Sequence, residues 1–256
     1  VPAGVFSLLQ GVGNELGAGL VRHPVIQAVG FTGSERGGRA LMDIAAARPQ
    51  PIPVFAEMGS INPLFVGPDT LQTQAESIAT GLSGSVCMGT GQFCTSPGLV
   101  VSVANQLFET KLKTKLSEAP RGYLLNPQIA DSLQAGLENL KNHPQLEWLN
   151  EADFEAGSMT PPNAVFKTSA GDFLADETLS EEVFGPVTLY VVCENEAQMI
   201  EIAENLNGNL TASVHADEDM QLAEKLFNVL EQKAGRVIYN GYPTGVEVCP
   251  SQQHGG

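Results

Sequence analysis

Continuous apolar runs alternate along this chain with segments whose apolar residues recur every three or four positions. Val25–Phe31 reads as a short buried strand, and Val54–Ala56, Leu64–Val66 and Leu99–Val103 read as further strands. Gly37–Ala47 predicts a helix with Leu41, Ile44 and Ala45 on one face. Leu71–Val86 predicts a helix of small residues. Asn105–Glu118 is amphipathic, with Leu107, Phe108, Leu112 and Leu116 expected inward. Val187–Cys193 is a strand followed by the helix Ala197–Leu206, which carries Met199, Ile200, Ala203 and Leu206. Thr211–His215, Met220–Leu230 and Arg236–Asn240 repeat the order strand, helix, strand. Such alternation predicts βαβ units around a mostly parallel sheet, an α/β fold. Asn142–Pro162 breaks the pattern with three prolines, a glycine and several acids, and is expected to be an irregular surface excursion.

Composition narrows the function classes. With 256 residues, 43% hydrophobic and 16% charged, the chain is long and apolar enough for a sizeable core. A net charge of −16 argues against a nucleic-acid partner, whose phosphates need a basic face, and against an anionic membrane surface. No apolar run nears the ~18 residues of a membrane span, and no leader peptide is visible. Cys87, Cys94, Cys193 and Cys249 are scattered, without a C-x-x-C pair. Neither a disulfide framework nor a metal site is expected from that spacing, and reduced thiols in the cytoplasm are the default. A chain that starts at Val1-Pro2 and stops at Gly255-Gly256 is expected to be a segment of something longer.

Two residues suggest chemistry. Cys94 sits in the small-residue loop Gly89-Thr-Gly-Gln-Phe-Cys-Thr-Ser-Pro97, and Glu57 sits alone in the apolar Pro53-Val-Phe-Ala-Glu-Met-Gly59. A thiol on a Gly-rich loop and a carboxylate among apolar neighbours suit covalent catalysis by a nucleophile with a separate base. The bland readings are a small buried thiol and an edge-strand acid; Cys87, Cys193 and Cys249 fit the inert reading better than Cys94 does. Phe31-Thr-Gly-Ser-Glu-Arg-Gly-Gly38 follows a strand and opens a helix. Its backbone N–H groups could receive a phosphate, or Ser34 could simply cap the helix. The spacing is not G-x-G-x-x-G, so the usual dinucleotide fingerprint is missing. Glu181-Glu-Val-Phe-Gly-Pro186 reads as a turn into a strand, where Glu182 could hold a ribose and Phe184 cover a ring. His254 near the end could act as a base or ion-pair partner to a thiolate; His23, His143 and His215 have no evident partners.

Taken together, these segments resemble the aldehyde dehydrogenase superfamily. Phe31-Thr-Gly-Ser34, Ala56-Glu-Met-Gly59 with Asn62-Pro63, Gly91-Gln-Phe-Cys94, Glu182-Val-Phe-Gly-Pro186 and Tyr239-Asn-Gly241 occur in the family's order. Ala56–Pro63 and Pro243-Thr-Gly-Val-Glu-Val248 look most like the 2-oxoglutarate semialdehyde (2,5-dioxopentanoate) dehydrogenase branch. The resemblance implies NAD or NADP as cofactor and oxidation of a small aldehyde to an acid. Cys94 would attack the aldehyde to give a thiohemiacetal and then a thioester, and its own N–H would be one oxyanion donor. Glu57 would activate the hydrolytic water. Thr32, Gly33, Ser34 and Gly38 would lie at the cofactor. Gly59 would leave room for the nicotinamide, Glu182 would hold its ribose, and Phe184 would pack nearby.

By the same resemblance, residues 1–59 would be the latter half of the cofactor-binding domain. Residues 60–248 would be the catalytic domain and residues 249–256 a return segment toward the active site. That site is expected in the cleft between the two domains. The resemblance also implies a homo-oligomer, and a cofactor half with exposed apolar surface. Gly59-Ser60-Ile61 departs from the Gly-Gly-Lys of common members, and the family's upstream oxyanion Asn and adenine-ribose Lys have no counterpart. The segment alone is therefore expected to turn over negligibly. A cysteine hydrolase or acyltransferase using Cys94 and His254, and a non-catalytic fragment, are the alternatives.

Overall fold

A computed structural model describes residues 2–217 and 219–247. The chain forms two compact units, Val1–Gly59 and Ser60–Gly256. In the first, helix α1 (Glu15–Arg22) precedes strand β1 (Val29–Thr32), helix α2 (Glu35–Ala46) and strand β2 (Val54–Glu57). β1 and β2 pair in parallel, with Thr32 opposite Glu57. β1 is shorter than the sequence suggested and is not buried: its residues alternate between half-buried and exposed, and Val25 lies outside it, exposed. A two-stranded sheet has one interstrand seam and cannot enclose its own strands. Val5, Phe6, Leu8, Leu9, Val12 and Phe55 of this unit are likewise exposed.

The second unit is built on a seven-stranded sheet. Its elements are β3 (Leu64–Val66), α3 (Pro68–Cys87), β4 (Leu99–Val103), α4 (Gln106–Glu118), α5 (Pro127–Asn142), β5 (Glu147–Trp148), β6 (Ala164–Ser169), α6 (Ala170–Ala175), β7 (Val187–Cys193), α7 (Glu196–Asn205), β8 (Asn209–His215), α8 (Met220–Leu230) and β9 (Ala234–Tyr239). The strand order is β5-β6-β7-β4-β3-β8-β9, parallel except for β5. Because strand side chains alternate, each central strand feeds two cores. Leu64, Val66, Val100, Val165 and Tyr190 pack with Leu71, Ile78 and Leu82 of α3 and with Phe108, Leu112 and Leu116 of α4. Phe65, Leu99, Val101, Phe166, Leu189 and Val191 pack on the other face with Leu133, Met199, Ile202 and Leu226.

Two local expectations are corrected. Leu107 is 53% exposed, because α4 aligns Phe108, Leu112 and Leu116 at four-residue spacing and Leu107 falls about 100° off that line. The stretch Asn142–Pro162 is not wholly irregular: Glu147 and Trp148 pair antiparallel with Lys167 and Phe166. The buried Asn150 fastens it further, its Oδ1 accepting from Val165 N at 2.9 Å. Five elements also go beyond those read from the pattern: α1, α5, β5, β6 and α6. Of these, α5 carries an evident start signal, Asn126 Oδ1 accepting from Ile129 N with Pro127 in the first turn.

Candidate functional site

In the first unit, Thr32, Gly33, Ser34 and Glu57 meet at the carboxyl ends of two parallel strands, where α/β sheets commonly bind ligands. Gly33 N donates to the Glu57 carbonyl at 3.1 Å, continuing the β1–β2 ladder by one residue. Ser34 caps α2, its Oγ accepting from Gly37 N at 3.2 Å, so the capping role considered for this residue is present. A β-carbon on Gly38 would lie 2.7 Å from Met58 Sδ, so glycine lets α2 lie close on β2. Glu57 is half-buried, as is Gly59 at the end of the unit.

In the second unit the candidate residues gather at the amino ends of the strands, opposite to the usual carboxyl-end location. Cys94 precedes β4, Ser60–Asn62 precede β3, Glu182–Pro186 precede β7, and Asn209 begins β8. The Cys94 loop leaves α3 through three successive left-handed residues: Gly89 (φ 57°), Thr90 (φ 61°) and Gly91 (φ 66°). Thr90 is an outlier for a β-branched residue, which indicates that surrounding packing holds the loop there. Gln92 ties the loop to its neighbour, donating to Tyr123 O at 3.1 Å and accepting from Leu125 N at 2.8 Å. Cys94 is exposed. Cys87 and Cys193 differ: burial pushes their thiols up to about 11 and about 12.

Glu182 and Phe184 lie beside this loop. A small cavity of about 30 Å³ is lined by Ser60, Gly91, Ser96, Glu182 and Phe184 among others, with room for about one water. Ser60 N donates to Glu182 Oε1 at 3.4 Å. Burial by the surrounding protein raises the Glu182 carboxyl above its ordinary value, and the Ser60 bond opposes that shift. The residue as a whole stays exposed, so solvent keeps its charged form accessible.

Sequence reasoning missed what lies beneath Cys94. Asn62 is fully buried in a left-handed conformation (φ 45°) and donates to the carbonyls of Cys94 and Ser96 at 2.8 and 2.9 Å. Asn209, also buried, accepts from Ile61 N and Asn62 N. His215 likewise has partners: its Nε2 is 3.1 Å from Gly241 O and its ring packs on Tyr242. His254 lies outside the described residues, as do Cys249 and the segment 249–256. Among the described residues, no His/Cys/Asp/Glu group could hold a metal, and no helix is long and apolar enough to cross a membrane.

Comparison with known proteins gives consistent matches. The sequence model of the aldehyde dehydrogenase family matches residues 1–256. The chain is 46% identical over 260 residues to alpha-ketoglutaric semialdehyde dehydrogenase 2 of Azospirillum brasilense, covering 100% of this chain and 50% of that protein. It is 40% identical over 269 residues to the alpha-ketoglutaric semialdehyde dehydrogenase of Acinetobacter baylyi, covering 100% and 49%. The chain thus spans about half the length of these curated relatives. Among solved structures, the aldehyde dehydrogenase KauB from Pseudomonas aeruginosa superposes with a TM-score of 0.83 at 22% identity, covering 100% of this chain and 52% of that one. A 1-pyrroline-5-carboxylate dehydrogenase from Thermus with bound NAD gives a TM-score of 0.77 at 21% identity, covering 96% and 49%.

Proposed function

This chain belongs to the aldehyde dehydrogenase family, and from that premise we propose that it carries the nucleophile and base of an NAD(P)-dependent aldehyde oxidation. The observation that carries the reading is Cys94, an exposed thiol on a loop fastened from below by the buried Asn62. We assign 2-oxoglutarate semialdehyde as substrate and 2-oxoglutarate as product, which the names of the two relatives at 46% and 40% identity support.

The Cys94 thiolate forms a bond to the aldehyde carbon, and the carbonyl π electrons move onto oxygen as an oxyanion beside the Cys94 N–H. Bound NAD(P)⁺ supplies the acceptor for the two electrons and the hydrogen that leave this carbon. The oxyanion collapses to a thioester on Cys94. Glu57 takes a proton from water, the hydroxide adds to the thioester carbon, and Cys94 departs as thiolate. Aldehyde, water and NAD(P)⁺ become acid, NAD(P)H and a proton.

The residues fit a nucleotide cofactor. The N-terminus of α2 is approached by close helix–strand packing at Gly38, and the first-turn N–H groups of a helix suit a phosphate. Thr32, Gly33, Ser34 and Gly38 would hold the nucleotide, Gly59 would give room to its ring, and Glu182 and Phe184 would hold the ribose and cover the ring. The reading carries with it a cytoplasmic homo-oligomer.

The test is site-resolved alkylation by limiting iodoacetamide with and without NAD(P)⁺ and aldehyde. Selective labelling of Cys94 that responds to cofactor and is blocked by aldehyde supports the reading. Cofactor-blind labelling that does not distinguish Cys94 from Cys87 and Cys193 overturns it.

A further inference from the structure

Four polar residues from distant parts of the second unit converge beneath the Cys94 loop. Asn62 uses its Nδ2 protons on Cys94 O (2.8 Å) and Ser96 O (2.9 Å). Its Oδ1 accepts from Thr211 N at 3.2 Å and Thr211 Oγ1 at 2.8 Å. The amide orientation is unambiguous, since backbone carbonyls only accept and a backbone N–H only donates. Asn209 Oδ1 in turn accepts from Ile61 N (3.1 Å) and Asn62 N (3.2 Å), holding the backbone that presents Asn62. Ser60 Oγ stands 2.9 Å from Asn62 Oδ1 and 3.0 Å from Asn209 Oδ1, gives its proton to one of them, and accepts from Leu210 N at 3.0 Å. All four side chains belong to buried residues.

A buried network whose members are satisfied by one another has one low-energy arrangement, because moving any member strands another's donor or acceptor. Here that arrangement ends on the carbonyl of the proposed nucleophile. The left-handed backbone at Asn62 adds to this, since Asn adopts φ 45° at lower cost than a β-branched or bulky residue. The same short segment reaches Glu182 through Ser60 N. One hub therefore holds both the Cys94 loop and the side chain assigned to the nicotinamide ribose.

We propose that Asn62 is the positioning residue of Cys94: its side-chain amide, locked by Asn209, Ser60 and Thr211, fixes the 94–96 turn so that the thiol is presented outward at a set angle. This rests on the reading of Cys94 as nucleophile. Asn62 itself touches neither substrate nor cofactor in this proposal.

The experiment measures the iodoacetamide rate of Cys94 against pH, with and without NAD(P)⁺, in the wild-type chain and in Asn62→Asp and Thr211→Val, alongside thermal melts. Asn62→Asp keeps the acceptor and the left-handed preference but loses the two donors. Its rate relative to wild type should fall on the order of tenfold where the introduced carboxyl is ionised. It should recover toward wild type at low pH, where the protonated acid can again donate to a carbonyl. Thr211→Val removes one support of Asn62 without touching Cys94, and should give a smaller loss in the same direction with no such recovery. Should Asn62→Asp not fold, a Thr211→Val chain that loses Cys94 rate carries the proposal. Variants that lower the melting temperature yet leave the Cys94 rate, its pH profile and its cofactor response as in wild type overturn it. A wild-type Cys94 that shows neither selective labelling nor a cofactor response defeats the nucleophile reading, whatever the variants do.

Discussion

Gly91 and Gly185 pass so close that a β-carbon on Gly91 would collide with the Gly185 carbonyl and the Pro186 nitrogen. The loop carrying Cys94 and the turn carrying Glu182 and Phe184 are thereby in backbone contact. Since the obstacle is backbone, no side-chain rotation relieves it, and Gly91 is also left-handed. Gly91→Ala should destabilise the second unit by about 2–4 kcal/mol, combining backbone strain with overpacking. It should also blunt the selective labelling of Cys94. Denaturant unfolding and alkylation read both; a variant with wild-type midpoint and labelling would show that the contact is dispensable.

His215 predicts a pH dependence. Desolvation lowers its pKa below the ordinary value, opposed by the bond to Gly241 O and by Asp217. The fold favours the neutral ring, whereas the unfolded chain protonates it near pH 6.5. Its contribution to stability is thus present above pH 6.5 and lost as pH falls through the lower folded value. Unfolding midpoints should drop between pH 7.5 and pH 5, and His215→Gln should flatten that slope. An unchanged slope in the variant would assign the acid sensitivity elsewhere.

Ser34 separates capping from cofactor binding. Ser34→Ala should cost about 1 kcal/mol through loss of the bond to Gly37 N. Ser34→Asp should keep the cap and the stability while setting a carboxylate where a phosphate would lie. NAD(P)H fluorescence titration should then show affinity reduced by roughly tenfold or more. Undiminished affinity in Ser34→Asp would leave Ser34 a cap alone.

Thiols held at about 11 and about 12 are almost wholly protonated at pH 8. That leaves thiolate fractions of about 10⁻³ for Cys87 and about 10⁻⁴ for Cys193. Both should resist iodoacetamide in the folded chain and react together on unfolding in urea. Rapid labelling of Cys193 in native conditions would contradict its burial.

Much of the scaffold was legible from pattern. Leu64–Val66 and Val187–Cys193 are strands with the expected limits, because a parallel strand covered on both faces must be apolar throughout. Likewise Met220–Leu230 is the helix its spacing predicted. Cys94 and Glu57 stood out because a thiol among glycines and an acid among apolar residues each break a local rule without local compensation. Other features depended on packing. The amphipathic pattern of Asn105–Glu118 places Leu107 inward, and only the packing of Phe108, Leu112 and Leu116 against the sheet turns it out.

The sequence by itself determined the alternating α/β plan, the family to which the chain belongs, and the loop that bears the thiol. Those follow from side-chain periodicity and from runs of adjacent residues. Only the tertiary structure decided what holds that thiol, since Asn62 lies 147 residues from Asn209 and 149 from Thr211 along the chain. A buried amide is costly until its partners arrive, and those partners are brought to it by the pairing of β3 with β8.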